Sequence, residues 1–482
     1  MNNYFCFETR IPKELGKRID CKYHNPKIIK EIEKLTNYKS LYRIIKKLGE
    51  ISIVKGGKRL PKGHIFLKTD YDDIPYIRAI DVKHGKVDVK NSEKVNYEVH
   101  KKIEKYQLYK GDAVITIVGT IGELGILEDN IEICNFTENI ARISSKDDNI
   151  SNIFLYYFLD SDLGKLQTHR LSVGSLQDKL SLMNCKNINI IIPYDTKTDN
   201  FDINEQYRII NEVSVYNKKV EDNLEDYNKR IGELRIIVSD KLKIKLPIEP
   251  AEEQIAIYGF SNNLKDRIDC YSHSNYYQDI VKKLKENREI DKLIKGKELN
   301  ILENRIGKKE LEELKAQEFK YIELKHTSEL DMIKGYKEDI SFNLPTRARQ
   351  IIKTNDILLP RPIGSTEEIA IVSEEYNNQL CSTGFIIIRP KNYDNALLLW
   401  SILKSDLVQK QLFYLQSGSL QPEITPKNFK EKVLIPIPKE EIQKEIIKKT
   451  REKTEQAKYF LEEYKTNRQK AKQVFLDMVL KS

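Results

Sequence analysis

The sequence predicts an α+β fold in which two similar α/β domains are joined by two long antiparallel helices that form a coiled coil. The first observation behind this prediction is an internal repeat: Gly-Ser-Leu-Gln occurs at 174–177 and 418–421, and Ser-Asp-Leu at 161–163 and 405–407. Both pairs share one offset, since 418 − 174 and 405 − 161 equal 244. A shared offset indicates that one unit was duplicated. The second observation is an apolar stripe with helical spacing after each copy.

The repeat extends over most of each half. Its further matches pair segments from the first half with segments from the second: Arg18-Ile19-Asp20-Cys21 with Arg267-Ile268-Asp269-Cys270, Pro75-Tyr76-Ile77 with Lys320-Tyr321-Ile322, 110–127 with 354–372, and 187–193 with 432–438. The pair 110–127 and 354–372 predicts β-rich runs separated by a Gly-containing bend. The pair 187–193 and 432–438 predicts strands that proline ends.

The apolar stripes predict two long helices. The first stripe runs from Ile209 to Val238 and the second from Ile446 to Met478, each in steps of four and three residues. A helix with so narrow a stripe is rarely stable alone, so its simplest partner is the equivalent helix of the other repeat. The alternative is that each helix packs on its own domain. At 1.5 Å per residue, a helix of ~40 residues is about 60 Å long, which suits a spacer between domains.

These features divide the chain into four segments. The predicted segments are a first domain with an N-terminal helical extension at 1–202, a central spacer helix at 203–245, a second domain at 246–440 and a C-terminal spacer helix at 441–482.

Composition sets limits on function. The net charge of +9 over 482 residues suits contact with a polyanion but does not require one. The six cysteines form no Cys-x-x-Cys pair, which argues against a zinc site. The first residues lack the apolar core of a signal peptide, and no apolar run nears the roughly 20 residues that cross a bilayer. We therefore expect a cytoplasmic protein with reduced thiols and no membrane partner.

Motifs of nucleic-acid enzymes are missing from the sequence. There is no Asn/Asp-Pro-Pro-aromatic tetrapeptide, no Gly-x-Ser-x-Gly elbow, and Gly56-Gly57-Lys58 lacks the other residues of a phosphate-binding loop. Glu323-Leu324-Lys325 resembles half of a nuclease metal site, but such triplets are common in a chain rich in Lys and Glu. We expect no catalytic residue, no metal site and no cofactor site in this chain.

Three segments resemble a known family. LGEISIVKGGKRLPKGHIF at 48–66, followed by PYIRAIDV, resembles the opening of a target recognition domain in type I restriction-modification specificity subunits, the HsdS family. The segments at 110–127 and 417–449 resemble the family's central and closing signatures. The second half departs from the pattern, because KGKELN at 295–300 matches GGKRLPKG only loosely. In addition, Pro360, Pro362 and Ser365-Thr366 replace the compact Gly-Thr-Ile-Gly bend.

The resemblance implies a non-catalytic DNA-sequence reader with two target recognition domains. Each domain would read half of a bipartite double-stranded DNA target, and the helices would set the number of unread base pairs between the halves. Two methyltransferase subunits, which carry S-adenosylmethionine, would bind the helices and domains. Whether a restriction subunit joins them stays open. The alternatives are a DNA methyltransferase or nuclease with unrecognised motifs, and a helical protein-interaction scaffold.

Polar residues in predicted loops are the candidates for DNA contact, because Arg, Lys, Gln, Asn and Ser bind base edges and phosphates. The candidates in the first domain are Lys58, Arg59, Lys62, His169, Arg170, Ser175, Gln177 and Lys179. The candidates in the second domain are Arg347, Arg349, Arg361, Ser417, Ser419, Gln421 and Lys427. The alternative for each basic residue is a solvated surface charge. For Gln177 and Gln421 it is a structural cap of the following helix, since a residue that both domains share suits architecture better than sequence discrimination.

Overall fold

The computed structural model describes most of the chain, and the described residues form two compact units. The first unit lies within Tyr4–Glu221 and Tyr464–Ser482, and the second within Asp222–Glu463. The described residues are 25, 28–30, 32–33, 40–67, 74–128, 133–173, 179–248, 274–303, 305–307, 310, 317–340, 344–417 and 422–481. The predicted repeat of Arg18–Cys21 and Arg267–Cys270 lies outside them, as does almost all of the predicted N-terminal helical extension.

The first unit contains short strands and helices in alternation. Its described strands are β1 (Arg43–Lys47), β2 (Ser52–Gly56), β3 (Ile74–Ile77), β4 (Val82–Lys83), β5 (Gly85–Val87), β6 (Glu93–Val95), β7 (Ala113–Thr116), β8 (Leu124–Ile126), β9 (Asn135–Phe136), β10 (Ile140–Ser145), β11 (Asn189–Asp195) and β12 (Asn200–Phe201). Its described short helices are α1 (Leu48–Ile51), α2 (Tyr97–Lys102), α3 (Asn152–Asp160), α4 (Asp162–Leu171) and α5 (Leu182–Lys186).

The strands of the first unit form three sheets, with the orders β2-β10-β7-β8-β5-β4, β1-β11-β12 and β6-β3-β9. Most neighbours are antiparallel, and β3 pairs in parallel with β9 through Tyr76 and Asn135. The core lies under α3, where Phe154, Leu155, Phe158 and Leu159 are fully buried. Ser151 and Ser161 cap the two helices α3 and α4 by accepting the Phe154 and Gly164 amides.

The second unit repeats this plan. Its described strands are β13 (Ile290–Lys295), β14 (Glu318–Ile322), β15 (Lys337–Ile340), β16 (Ala348–Ile351), β17 (Ile357–Pro360), β18 (Ala370–Ile371), β19 (Leu380–Ser382), β20 (Phe385–Ile388) and β21 (Leu434–Pro438). Its described short helices are α7 (Asn275–Glu286), α8 (Tyr393–Lys404), α9 (Asp406–Tyr414) and α10 (Pro426–Lys432).

The sheets of the second unit have the orders β15-β14-β19-β16, β18-β17-β20 and β13-β21. One central pair, β14 with β19, is parallel through Tyr321 and Leu380, like β3 with β9 in the first unit. Helix α8 fills the core, and the indole of Trp400 is fully buried and donates to the Ile369 carbonyl oxygen at 2.7 Å.

The two long helices are α6 (Ile203–Lys241) and α11 (Glu440–Leu480), close to the bounds that the apolar stripes predict. Both units contain a segment of each helix. In the second unit Glu233 pairs with Lys453 at 2.8 Å and Asp240 with Lys449 at 3.6 Å. The residue number rises along one helix as it falls along the other, so these segments run antiparallel, as predicted.

In the first unit the same antiparallel sense follows from contacts near the end of α11. Arg43 donates to Glu205 at 2.9 Å and to the Val479 carbonyl oxygen at 3.2 Å, while Lys470 lies over the ring of Tyr216. The helices also pack on the domain beside them, as the alternative interpretation expected, because Gln206 donates to the Asn149 carbonyl oxygen at 2.8 Å. Within the described residues no helix is long and apolar enough to span a bilayer.

A buried aspartate after a tight turn is common to both units. Asp112 and Asp356 accept the amides of Tyr109 and Lys353, each at 2.8 Å. The residue before each aspartate has a positive φ, 84° at Gly111 and 69° at Asn355. These are the residue types that tolerate the left-handed region most readily, which explains the Gly-Asp and Asn-Asp pairs at these positions.

The charge of this aspartate is compensated differently in the two units. Arg389 holds Asp356, which is fully buried, through two hydrogen bonds of 2.7 Å. Arg142 approaches Asp112 only to 3.6 Å, and burial raises the pKa of Asp112 despite the backbone hydrogen bond from Tyr109 and the nearby guanidinium.

We predict that Arg389→Met destabilises the second unit by about 3 kcal/mol or more, because it leaves a buried carboxylate without its partner. Trp400 is the only tryptophan of the chain, so its fluorescence during urea unfolding reports on the second unit. The control is Arg142→Met, which removes a longer contact from the first unit. Equal shifts of the Trp400 transition in both variants would contradict the prediction.

Candidate nucleic-acid interface

The residues on either side of the repeated tetrapeptide have the same backbone geometry in both units. Val173 and Lys179 exchange two backbone hydrogen bonds of 2.8 and 2.7 Å, and Ser417 and Glu423 exchange two of 2.8 and 2.9 Å. We call 173–179 and 417–423 the closing loops. Ser175, Gln177, Ser419 and Gln421 lie outside the described residues.

An asparagine on the following helix anchors each closing loop. The Asn184 side chain donates to the Leu171 carbonyl oxygen at 2.7 Å, and the Asn428 side chain donates to that of Leu415 at 2.9 Å. The caps of these helices are Ser181 and Thr425, whose hydroxyls accept the Asn184 and Asn428 amides. The residues in these contacts are 244 positions apart in the two units, so both units have the same backbone contacts around the closing loop.

The central segment of each unit lies beside its closing loop. In the first unit Val118 bridges to Lys179, and the Leu180 amide donates to the Ile117 carbonyl oxygen at 2.9 Å. In the second unit Pro362 bridges to Glu423, and the Ile424 amide donates to the Arg361 carbonyl oxygen at 2.9 Å. The Gly-Thr-Ile-Gly bend and its Pro-rich counterpart therefore occupy equivalent places although their sequences differ.

The basic turn of the first domain joins the same surface. The Lys58 amide donates to the Phe136 carbonyl oxygen at 2.9 Å, and the Ile117 amide donates to that of Asn139 at 2.8 Å. Gly57 permits this approach, because a Cβ there would lie 2.2 Å from the Phe136 carbonyl oxygen. The residues near 57–59, 117–118 and 179–180 are thus neighbours across the 136–140 segment.

In the second unit Thr383 brings two predicted arginines together. Its amide donates to the Arg347 carbonyl oxygen at 3.0 Å, and its own carbonyl oxygen accepts from Nη1 of Arg361 at 3.2 Å. Nη2 of Arg361 also forms an ion pair with Glu423 in the closing loop. Arg349 donates from Nε to the Thr346 carbonyl oxygen at 3.1 Å.

The described candidates differ in exposure. Those that are exposed are Lys58, Arg59, Lys62, His169, Lys179, Arg347 and Lys427. Those that are half-buried are Arg170, Arg349, Arg361 and Ser417. Exposed Arg59 and half-buried Arg361 each have a carboxylate partner.

Sequence reasoning missed the acidic residues of this surface. Glu138 accepts from Nε of Arg59 at 2.5 Å, and Glu423 pairs with Arg361. Burial by itself raises the pKa of Glu138, but hydrogen bonds from Arg59, a backbone amide and Thr137 outweigh burial and lower it. No local pattern marks these carboxylates, because their partners lie 79 and 62 residues away in the sequence.

Among the described residues there is no group of three or more His, Cys, Asp and Glu side chains arranged to hold a metal ion. Glu323 and Lys325, the residues that resemble half of a nuclease site, form an ion pair of 2.8 Å with each other.

Known proteins resemble both halves of the chain. A family model described as "Type I restriction modification DNA specificity domain" matches residues 44–226 and 294–451, which together make up well over half of the chain. The Type I restriction enzyme EcoBI specificity subunit of Escherichia coli is 30% identical over 142 residues. That alignment covers 30% of this chain and 28% of the relative, so it spans less than a third of the relative's length.

Two solved structures align along most of the chain. The S subunit of a type I restriction-modification system from M. genitalium has 16% identity and a TM-score of 0.37, with coverage of 92% of this chain and 96% of that chain. The HsdS subunit of Thermoanaerobacter tengcongensis has 13% identity and a TM-score of 0.31, with coverage of 92% and 98%.

Two arginines of the second unit provide a test of which candidates are structural. We predict that Arg361→Ala lowers the free energy of unfolding by about 1–2 kcal/mol, because Glu423 and the Thr383 carbonyl oxygen lose their donor. Arg347→Ala, which removes an exposed side chain, should change it by less than about 0.5 kcal/mol. Urea unfolding followed by Trp400 fluorescence measures both. Equal losses would mean that Arg361 has no special structural role.

Proposed function

Because the chain belongs to the type I restriction-modification DNA specificity family, we propose that it is the subunit that selects the DNA sequence and that it carries out no catalysis itself. The observation that carries this proposal is the doubled surface: two closing loops with the same backbone frame, surrounded by different side chains. A duplicated frame with divergent side chains suits two readers of different sequences.

We propose that each unit reads one half of a bipartite double-stranded DNA target. The exposed basic candidates in the first unit include Lys58, Lys62 and Lys179, and those in the second unit are Arg347 and Lys427. Lysine and arginine at such positions bind phosphates and fix the register of the protein on the duplex. Base discrimination then falls to side chains of the central bends and of the divergent segments around the shared tetrapeptides, where the two units differ.

The partners proposed for this chain follow from the same role. A non-catalytic reader needs a methyltransferase, so we propose that two modification subunits bind it and supply S-adenosylmethionine and the adenine chemistry. We also propose that the length of the helices α6 and α11 sets the number of base pairs between the two half-sites.

Matched lysine and arginine variants test the assignment of half-sites. We predict that Arg347→Ala combined with Lys427→Ala weakens binding through one half-site, and that Lys58→Ala combined with Lys62→Ala weakens it through the other. Each lost phosphate contact should reduce the slope of log affinity against log salt by about 1. The measurement is an electrophoretic mobility shift with the methyltransferase subunit present, on targets in which one half-site at a time is scrambled.

The target itself comes from mapping methylated adenines in the host genome. If the losses of affinity in both double variants became smaller when the same half-site was scrambled, the assignment of one reader to each unit would be wrong. If the purified chain alone methylated or cut DNA, the non-catalytic role would be wrong.

Helix length provides the second functional test. We predict that inserting one heptad into the middle of both α6 and α11 changes the preferred number of base pairs between half-sites, because seven helical residues add about 10 Å, or about 3 base pairs. Binding to a series of targets with different spacers measures this. An unchanged optimum would exclude the helices as the spacing element.

A further inference from the structure

The first unit contains a cavity of about 370 Å³ between the recognition domain and the long helices. It is lined by α3, by the turn at 84–86, and by the parts of α6 and α11 that belong to this unit. Tyr156, Tyr157 and Phe475 form an aromatic wall, with ring centroids 5.1 Å apart for the first pair and 5.9 Å apart for Tyr157 and Phe475. The volume is in the range of pockets that bind small molecules.

Cations outnumber carboxylates at one end of the cavity. Asp160 is buried, and Lys165, Arg468 and Lys472 converge on it at 2.9, 3.4 and 3.6 Å. Charge-assisted hydrogen bonds between nitrogen and carboxylate oxygen are usually ~2.7–2.9 Å long. Only the contact with Lys165 reaches that length. Arg468 also donates from Nη1 to the Tyr464 hydroxyl at 2.9 Å, whereas the contact of Lys472 with Asp160 is 3.6 Å long.

Other charged groups of the cavity have closer partners. Lys86 pairs with Glu221 at 2.7 Å and with Glu128 at 3.1 Å, and Nδ1 of His84 lies 3.0 Å from the Tyr464 hydroxyl. Within the described residues, the carboxylate nearest to the Lys472 ammonium is Asp160 at 3.6 Å. About 12% of the Lys472 side chain remains exposed, and it lines the cavity.

We propose that this cavity binds a small aromatic anion of about the size of a mononucleotide, with its acidic group on Lys472 and Arg468 and its ring against Tyr156 and Phe475. An ammonium with little solvent and one long carboxylate contact gains most from an additional acceptor. An aromatic body replaces water along the apolar wall, where Ile210, Val213 and Ala471 complete the lining.

The second unit does not repeat this arrangement. Lys404 takes the place of Asp160 immediately before the second Ser-Asp-Leu. Its ammonium is buried and donates to the Glu367 carbonyl oxygen at 3.0 Å. The proposed site is therefore a property of the first unit alone and not part of the duplicated frame.

Lys472 makes the binding sensitive to pH. Burial, the largest cause, acts together with Lys165 and Arg468 to lower the pKa of Lys472 to about 8, while Asp160 opposes them. Lys472 is faced by Tyr156 and Asp160 from α3, by Lys165 from α4, and by Tyr464 and Arg468 from its own helix. The charged and titratable groups farther along the cavity are His84, Lys86, Lys110, Glu128 and Glu221. Burial also raises the pKa of Tyr156, so this tyrosine stays neutral while Lys472 loses its proton. An anion should bind best below pH 8 and more weakly as pH rises.

Isothermal titration calorimetry of the full chain with adenosine 5′-monophosphate tests the proposal. We expect saturable binding at pH 7 that adenosine and inorganic phosphate each reproduce only weakly, because each lacks one half of the ligand. Lys472→Met should weaken binding about tenfold or more, in line with the loss of a hydrogen bond to a charged group. Lys470→Met, on the exposed face of the same helix, should leave it unchanged.

A second variant keeps the test decisive if Lys472→Met fails to fold. Lys472→Arg retains the charge at all accessible pH values. We expect binding to the native chain to weaken several-fold between pH 7 and pH 9.5, and binding to Lys472→Arg to change little. Absence of binding at millimolar ligand, equal affinity for Lys472→Met, or the same pH profile in Lys472→Arg would overturn the proposal.

Discussion

A buried glutamine amide holds each unit together at the point on which its candidate surface depends. Gln167 and Gln411 each form two hydrogen bonds of 2.9 Å with the backbone of one residue, Asn189 in β11 and Leu434 in β21. Unpaired backbone groups at these buried places would cost about 1–3 kcal/mol each. The helix that carries the glutamine leads into the closing loop, and the strand leads into a long helix. One amide therefore sets the position of the closing loop relative to the helix segment of its own unit.

Within that frame, charges that contact carboxylates and charges that are exposed have different roles. Arg59 and Arg361 contact carboxylates on neighbouring loops, and these contacts restrict the shape of the surface. Lys58, Lys62 and Arg347 are exposed on the same loops and supply positive charge toward solvent. The net charge of the whole chain is only +9, yet the exposed side chains on these loops give this surface local positive charge. The acidic residues at 138 and 423 shape this surface and reduce its charge at the same time.

The sequence predicts the parts of the fold that depend on local patterns. The long helices and the strands at 113–126 and 357–371 are confirmed because periodicity and turn residues are encoded within a few positions. Closing strands also follow both tetrapeptides, but β11 continues past Pro193 to Asp195, so proline ends only the second of them. The offset of 244 residues also predicts equivalent contacts, such as those of Asn184 and Asn428. The pair of Arg361 with Glu423 and the convergence of Arg468 and Lys472 on Asp160 could not be predicted, because long-range packing brings these residues together. The roles of the individual candidates in DNA binding stay predictions.

The division of the chain into units also affects the order in which the units can fold during synthesis. The second unit is made from the continuous stretch Asp222–Glu463, whereas the first unit needs Tyr464–Ser482 in addition to its N-terminal part. Phe475 packs against Phe154, Tyr157 and Phe158, and Val479 is fully buried in the same core. The domain that leaves the ribosome first is therefore the last to complete its core. A chain truncated by two helical turns would retain an intact second unit and an unfinished first one.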